Sequence, residues 1–533
     1  MEQEVFVKKD VYRDSVSLMM LMDRLKKMGG ITNVAILMGT QTNKELFRVA
    51  GFTTAKIQSA GSNDLCIGIE AKNKTYIQEA QVVIDRFLSG ESRTGGLLGD
   101  VFPRSLSSAL KMMPDAKLVS ISLPGKYAAA EAEKALHLGL HVFLFSNNVT
   151  ILDELRLKEL ARQRGLLLMG PDCGTAIING HALGFSNKVQ RGQVGIIAAS
   201  GTGAQEVMCI LSNLGIGISH VIGTGGRDLV DQIGGMTFTI ALDALLKDKC
   251  TKVIILISKI PSPSIEKHIF TLLERCDKSV VVIFIGQQLL EKRINDNIWV
   301  VRSLAHAASV AAAIVNGTDV PEPLTMEYIN KKHRGLLEPI RNNLNGDQRF
   351  VRGLFVGGTL ANEAAFTLSQ IFPNVHAGHG FGKVLPIKNW DRLIGHTLLD
   401  LGDDRFTIGK PHPMIDPSIR NEMILREAED STVAVILLDF ILGYNTMDDP
   451  VGSHLWTIRQ ARRTANERGR ILPIVAHVCG TEGDPQKLST QIKQLEDAEI
   501  KVFSSNLEAT LAAAWIASHE MDDGVKNEEV CKS

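Results

Sequence analysis

The sequence is poor in aromatic residues: Phe, Tyr and Trp make up 5% of its 533 residues. Sugar platforms and base-stacking surfaces are built from aromatic faces, so both classes are disfavoured. An excess of charge of one sign is also absent. Lys and Arg number 58 against 59 Asp and Glu, a net charge of −1. A nucleic-acid binder carries a basic excess, so no nucleic acid is expected as a partner. The seven cysteines (Cys66, Cys173, Cys209, Cys250, Cys276, Cys479 and Cys531) form no CxxC pair. An odd count at irregular spacing argues against a disulfide framework or a structural zinc site, and no metal is expected. Long apolar runs are missing. Val253–Ile257 and Val280–Ile285 fall far short of the ~20 residues that a membrane span needs. The N-terminus Met1-Glu-Gln-Glu-Val-Phe-Val-Lys-Lys-Asp has no signal-peptide core. These absences predict a cytoplasmic protein in a reducing compartment with no membrane partner.

What is present is ordinary globular material, 44% hydrophobic and 22% charged. At roughly 150 residues per domain the chain holds three or four domains. Short Val/Ile/Leu runs recur at Val34–Leu37, Leu118–Ile121, Val142–Phe145, Leu166–Met169, Val194–Ala198, Val253–Ile257, Val280–Ile285, Gly353–Val356, Val433–Leu438 and Ile474–Val478. They lack polar alternation, as strands buried on both faces of a parallel sheet do. Between them lie segments with helical spacing, such as Tyr127–Leu138 and Ala204–Leu214. The alternation predicts the α/β class, with doubly wound parallel sheets in series. A Gly/Ser-rich stretch over 87–103 reads as a linker. Residues 316–348, with Pro321, Pro323 and a polar run, read as a connector between two halves. No short-period repeat or low-complexity tract is visible.

The strongest local signal is Val194-Gly-Ile-Ile-Ala-Ala-Ser-Gly-Thr-Gly-Ala-Gln-Glu-Val. A buried strand runs into Ser200, Gly201, Thr202 and Gly203, and a helix follows. Glycines admit close approach of backbone N–H groups, and the helix adds its positive end, so the turn suits phosphate or carboxylate. It is neither a P-loop nor a full dinucleotide fingerprint, because no GK[ST] follows and Glu206 stands at the third glycine. A tight strand–helix turn capped by Ser or Thr is the plainer reading. One strand later, Thr224, Gly225, Gly226 and Arg227 form a second loop facing the same ligand, since α/β ligands sit at the carboxyl ends of strands. Arg227 suits bidentate phosphate contacts; its alternative is a solvated pair with Asp228. A third loop, Met169-Gly-Pro-Asp-Cys-Gly-Thr, puts Cys173 beside Asp172. No histidine neighbours that thiol in sequence, so a buried structural role stands against a nucleophilic one.

The C-terminal half repeats the strand, glycine turn and helix at Gly353-Leu-Phe-Val-Gly-Gly-Thr-Leu-Ala-Asn-Glu, with Thr359 as N-cap. Further on, Pro411, Pro413 and Pro417 stiffen a polar segment that bears Asp403, Asp404, Lys410, His412, Asp416 and Arg420. A rigid loop can hold acid, base and cation in fixed positions. The alternative is a solvated connection. His376-Ala-Gly-His-Gly offers two histidines in a glycine-rich loop, and Asp439 stands at the end of its strand.

These residues carry a resemblance. Residues 117–315 resemble the α-subunit of succinyl-CoA synthetase, through Met169-Gly-Pro-Asp-Cys-Gly, Gly195-Ile-Ile-Ala-Ala-Ser-Gly-Thr-Gly and Val300-Val-Arg-Ser-Leu-Ala-His. Residues 350–517 resemble the ligase-type domain of such synthetases. Over its whole length the chain resembles the FdrA family, through Arg13-Asp-Ser-Val-Ser-Leu-Met, Met38-Gly-Thr-Gln-Thr-Asn-Lys, Gly225-Gly-Arg-Asp-Leu and Gly409-Lys-Pro-His-Pro-Met-Ile-Asp-Pro. The resemblance implies an N-terminal α/β domain over 1–100, a Rossmann-like CoA-binding domain over 101–192 and a flavodoxin-like ligase domain over 193–316. A linker over 317–348, a second ligase-like domain over 349–520 and a tail over 521–533 complete it. The synthetases carry a phospho-accepting histidine after the strand matching Val280–Ile285. Here only 13 residues separate Gly286 from Val300, and none is histidine. No ATP-grasp domain is visible either.

The resemblance therefore implies an enzyme subunit that handles an acyl or carbamoyl phosphate, together with partner subunits or copies of itself. The leading expectation is oxamate carbamoyltransferase, oxalurate plus phosphate giving oxamate plus carbamoyl phosphate, in allantoin breakdown. Ser200, Gly201, Thr202, Gly203, Gly225, Arg227, Asp172, Cys173 and Thr359 would bind phosphate or cofactor. Lys410 and His412 would polarise the carbonyl or shuttle protons, and Arg420 would hold a carboxylate. The alternatives are an ADP-forming acyl-CoA synthetase subunit, with CoA at residues 124–173 and His376 or His379 as phosphorylatable histidine, and a non-catalytic sensor of acyl phosphate or CoA.

Overall fold

The computed structural model describes residues 2–9, 11, 15–26, 28–40, 43–44, 47–48, 50–61, 64–89, 103, 105–287, 292–407 and 410–518. Gly409, most of the expected 87–103 linker and the tail over 521–533 lie outside the described residues. The chain divides into two compact units, Met1–Phe102 and Pro103–Ser533.

In the first unit, strands β1 (Glu2–Lys8), β2 (Ile31–Met38) and β3 (Leu65–Ala71) form an antiparallel sheet in the order β1-β3-β2. Helices Ser15–Lys26 and Lys74–Ser89 bury Leu18, Leu21, Leu25, Ile77, Ala80 and Ile84 in one core with Ile36, Ile67 and Ile69 of the sheet. The antiparallel pairing departs from the doubly wound pattern expected of the chain. Apolar runs of this length give no strand direction; the connections decide it.

The second unit opens with a three-stranded parallel sheet, β4 (Leu118–Ile121), β5 (His141–Leu144) and β6 (Leu168–Met169). The hairpin β7 (Thr175–Ile178) and β8 (His181–Gly184) leaves it and joins the edge of an eight-stranded sheet. That sheet is built on β9 (Arg191–Ala198), β10 (Ile218–Gly223), β11 (Val253–Lys259), β12 (Ser279–Ile285), β13 (Lys292–Arg293) and β14 (Ile298–Val301). A six-stranded parallel sheet follows, with β15 (Phe350–Phe355), β16 (Val375–Ala377), β17 (His396–Asp400), β18 (Val433–Ile441), β19 (Ile474–Cys479) and β20 (Lys501–Phe503). Every apolar run expected as a strand contributes to one.

The two larger sheets share one plan. Strands run in the parallel order β14-β12-β11-β9-β10 in one and β20-β19-β18-β15-β17 in the other. Both are the flavodoxin-like winding that the resemblance implied. The turns after the first strand of each also correspond, Ser200-Gly-Thr-Gly-Ala-Gln-Glu206 and Gly357-Gly-Thr-Leu-Ala-Asn-Glu363. The residues between the halves, expected as a connector, include a helix, Met326–Asn342, that buries Ile329 and Leu337.

Four helices, Gly201–Asn213, Leu304–Asn316, Gly358–Ser369 and Asn506–Ala517, place residues of both halves in a single core. Asn506–Ala517 is buried along its whole length, which an all-round apolar helix requires. A polar network crosses that core. Glu206 accepts the Asn506 N–H at 3.0 Å, and Glu363 accepts the Leu304 N–H at 2.7 Å. Each glutamate thus caps the last helix of the other half, supplying an acceptor to an orphan N–H. In this network the halves differ: His477 pairs with Glu206 at 2.7 Å, while β12 carries Ile283 at the corresponding position.

Candidate active site

The two glycine turns meet. Ser200 is extended at the end of β9, and its Oγ caps the following helix by accepting the Gly203 N–H at 3.0 Å. That Oγ also hydrogen-bonds Thr359 Oγ1 of the other turn. Thr359 N–H in turn donates to Thr202 Oγ1 at 3.3 Å. Glycine is needed here for close approach. A Cβ on Gly203 would lie 2.8 Å from Ser200 Oγ and 3.0 Å from Thr359 Cγ2. One on Gly357 would lie 3.0 Å from Asp439 Oδ2 and 3.2 Å from Thr202 Cγ2. Two helix N-termini therefore converge, and their partial positive charges add. Among the described residues the N–H groups of Gly201, Thr202 and Gly358 have no acceptor, the arrangement an anion fills.

Carboxylates gather on the C-terminal side. Asp439, fully buried at the carboxyl end of β18, accepts the Val356 and Gly357 N–H groups at 2.8 Å each. Asp400, half-buried at the end of β17, accepts the Gly402 N–H on Oδ1 at 2.9 Å. Its other oxygen lies against Gly358, where an added methyl group would overlap it. Burial pushes the Asp400 carboxyl up to about 6, with Asp403 and Asp439 adding to the rise and Lys259 opposing it. Lys259, at the end of β11, is exposed.

The proline-stiffened loop brings His412 to this group. A Cβ on Gly402 would lie 2.6 Å from His412 Nε2 and 3.2 Å from Asp400 Oδ1. His412 Nδ1 accepts the Met414 N–H at 3.2 Å, which leaves the ring proton on Nε2, toward Gly402. Burial lowers the imidazole to about 4, so it is a neutral donor at pH 7. Lys410 is exposed on the same loop, with no partner for its ammonium among the described residues.

Other expected site residues are engaged elsewhere. Arg420 is buried at 1% exposure, bonded through Nη1 to Asp439 Oδ1 at 3.2 Å and through Nε to His454 at 3.0 Å. It holds the domain together and does not present itself to a carboxylate ligand. Arg227 pairs with buried Glu154, Nε to Oε2 at 2.9 Å, and donates to the Val149 carbonyl at 2.8 Å. Its protein partner is thus Glu154 rather than Asp228, which binds Lys158 at 2.7 Å. Gly225, at φ +85°, turns the chain against Pro171, leaving no room for a ligand on that face. Cys173 is buried in the core against Gly223, and burial pushes its thiol up to about 12, so it offers no thiolate. Asp172 stands at the rim of its loop, where the surrounding protein, with help from Asp404, pushes its carboxyl up to about 6. His376 lies on edge strand β16, beside a cleft of about 170 Å³ lined also by Lys388 and Arg392. His379 follows that strand and is exposed. Two strand spacings, about 10 Å, separate β16 from β15. Asp400 and Lys259 were missed in the sequence; their position just past the carboxyl end of a buried strand was the available signal.

Three family models match the chain. Residues 354–516 match a CoA-ligase model, residues 189–286 a CoA binding domain, and residues 1–99 a domain described as AllF, heavy metal-associated. The CoA-binding match falls on the first flavodoxin-like sheet. Among the described residues no cluster of His, Cys, Asp and Glu is placed to hold a metal ion, and no helix is long and apolar enough to cross a membrane. The uncharacterized protein YahF of Escherichia coli K12 is 39% identical over 513 residues, 96% of this chain and 98% of that protein. The α-subunit 2 of the ADP-forming succinate–CoA ligase of Archaeoglobus fulgidus is 32% identical over 150 residues, 27% of this chain and 51% of that subunit. The chain thus matches about half the length of that ligase subunit. Among solved structures, the apo dinucleotide-forming acetyl-coenzyme A synthetase 1 of Ca. Korarchaeum cryptofilum aligns at a TM-score of 0.30 and 16% identity, over 79% of this chain and 87% of that one.

Proposed function

Since the chain belongs to the FdrA-like family of succinyl-CoA-synthetase-type proteins, with YahF as a near full-length relative, we propose that it is a ligase-type enzyme that handles an acyl phosphate where its two glycine turns meet. The observation that carries the proposal is the contact of Ser200 with Thr359, which brings two helix N-termini onto one point. The phosphate group would sit on the unpaired N–H groups of Gly201 and Thr202. His412, a neutral donor beside Asp400, would polarise the acyl carbonyl. CoA would be the acyl acceptor. Exposed Tyr127 and Leu152 stand on the helix starts after β4 and β5, and would supply apolar contact for it within 124–173. An ADP-forming reaction would also need a nucleotide-binding partner subunit.

Carbamoyl transfer, oxalurate plus phosphate giving oxamate plus carbamoyl phosphate, is the second reading. It is favoured by one feature, the 13 residues between Gly286 and Val300 that contain no histidine. This transfer needs no phosphohistidine.

Thermal unfolding with acetyl phosphate, carbamoyl phosphate, inorganic phosphate and CoA added singly tests both. A ligand at ~100 times its dissociation constant adds about 2.7 kcal/mol. Acetyl phosphate and CoA are each expected to stabilise the chain, and Ser200→Ala/Thr202→Val to lose only the response to phosphates. Carbamoyl phosphate without CoA selects the second reading. No response to any phosphate overturns both.

A further inference from the structure

The shared plan of the two halves lets their site ends be compared position by position. On β17, Asp400 pairs with Phe355; on β10, the matching partner of Ala198 is Gly223. No side chain projects there, because the space is taken by the Cys173 thiol. On β18, Asp439 corresponds to Ile257 of β11. At these two positions the N-terminal half therefore brings no carboxylate, and its Lys259 acts on Asp400. The C-terminal half brings two carboxyls. One of them, Asp439, is committed to two backbone N–H groups and Arg420. The other has a single protein hydrogen bond, from Gly402, and among the described residues none on Oδ2, the oxygen beside Gly358. Gly358 adjoins Gly357, on which a Cβ would lie 3.2 Å from Thr202. An anion seated on Gly201 and Thr202 would thus have Asp400 as the neighbouring titratable oxygen.

We infer that Asp400 is the proton-carrying residue of the junction, taking up a proton when a phosphate-type anion docks and passing it to the departing phosphate. This rests on the acyl-phosphate reading. In transfer to a thiol, the S–C bond forms and the C–O bond to phosphate breaks. The proton that Asp400 took up on docking passes to the departing phosphate oxygen, and the thiol proton replaces it on Asp400. Acyl phosphate dianion and thiol thus give thioester and HPO4²⁻, with Asp400 restored. The reverse reaction runs the same steps backwards. Burial holds the Asp400 carboxyl near 6, in the range where it can both accept and release a proton. The charged and titratable groups facing it are Lys259, Asp403, Asp439 and His412.

Sulfate is the probe, because it does not titrate between pH 5 and 8. Binding is measured by calorimetry on the full chain in two buffers of different ionisation enthalpy. At pH 6.5 the wild type is expected to take up roughly half a proton per sulfate, and its affinity to fall about tenfold from pH 5.5 to 7.5. Asp400→Asn is expected to bind with a nearly flat profile and no uptake. Uptake that persists in Asp400→Asn overturns the assignment. Should that variant not fold, sulfate binding to the wild type without proton uptake overturns it equally. A folded wild type that binds no sulfate at any pH overturns the phosphate site itself, which separates the two failures.

Discussion

His477 Nε2 and Glu206 Oε2 lie 2.7 Å apart with both side chains buried, and the pair joins the helix of one glycine turn to β19 of the other half. Burial alone would neutralise both groups. Their mutual charge and hydrogen bonds outweigh it, holding the imidazole above and the carboxyl below its usual value. The histidine's contribution to stability is full below pH 6.5 and is lost as pH rises through its raised value. The glutamate's is present above 4.5 and is lost as pH falls through its lowered one. His477→Ala leaves Glu206 buried and unpaired, and is expected to cost about 3–5 kcal/mol in urea unfolding at pH 6. An unchanged midpoint would show that the pair does not hold the halves together.

Glu363 has no such partner. Burial pushes its carboxyl up to about 7, and the charge of Glu206 adds to the rise. Below pH 4.5 the acid is protonated in the folded and unfolded chain alike. As pH rises to 7, only the unfolded chain releases the proton, so stability declines across that window. Glu363→Gln imitates the protonated acid. Its stability is expected to exceed the wild type's at pH 8 by on the order of 2–3 kcal/mol and to match it near pH 4. Parallel pH profiles for the two proteins would refute this.

Arg420→Met is expected to lower stability by about 3–5 kcal/mol at pH 7, because Asp439 is then left buried with its charge uncompensated. Denaturant unfolding reads the loss. A fully stable variant that has lost carboxylate binding would instead return Arg420 to the ligand site.

Brief iodoacetamide treatment of the native chain, followed by peptide mass spectrometry, is expected to label Cys250, the exposed one of the described cysteines, and to leave Cys173 unmodified. Labelling of Cys173 at a comparable rate would contradict its burial.

Gly203→Ala places a methyl group 2.8 Å from Ser200 Oγ and 3.0 Å from Thr359 Cγ2. The halves must part to admit it, at a cost of roughly 1–3 kcal/mol. Sulfate affinity is expected to fall with stability, and calorimetry on the variant checks it. Wild-type affinity would show that the two turns bind anions independently.

The sequence by itself determined the strands, because unbroken Val/Ile/Leu runs such as Val253–Ile257 and Val433–Leu438 are stable only when buried on both faces. It also determined the glycine turns. Ser200 caps its helix from within its own turn, a local bond that local sequence announces. For Thr359 the expectation of a cap gave way: Gly357 stands at the N-cap and Thr359 turns to Ser200. The fates of the charged residues were decided by tertiary structure. Arg227 and Arg420 read as ligand-binding groups until Glu154 and Asp439, far away in sequence, took them up. Asp400, which the sequence did not single out, stands beside the junction with an oxygen to spare only because Gly358 and Gly402 place it there. Periodicity and turn chemistry act over a few residues, so a sequence displays them. A buried charge is settled by whichever opposite charge the packing brings to it, and that pairing exists only once the halves have met.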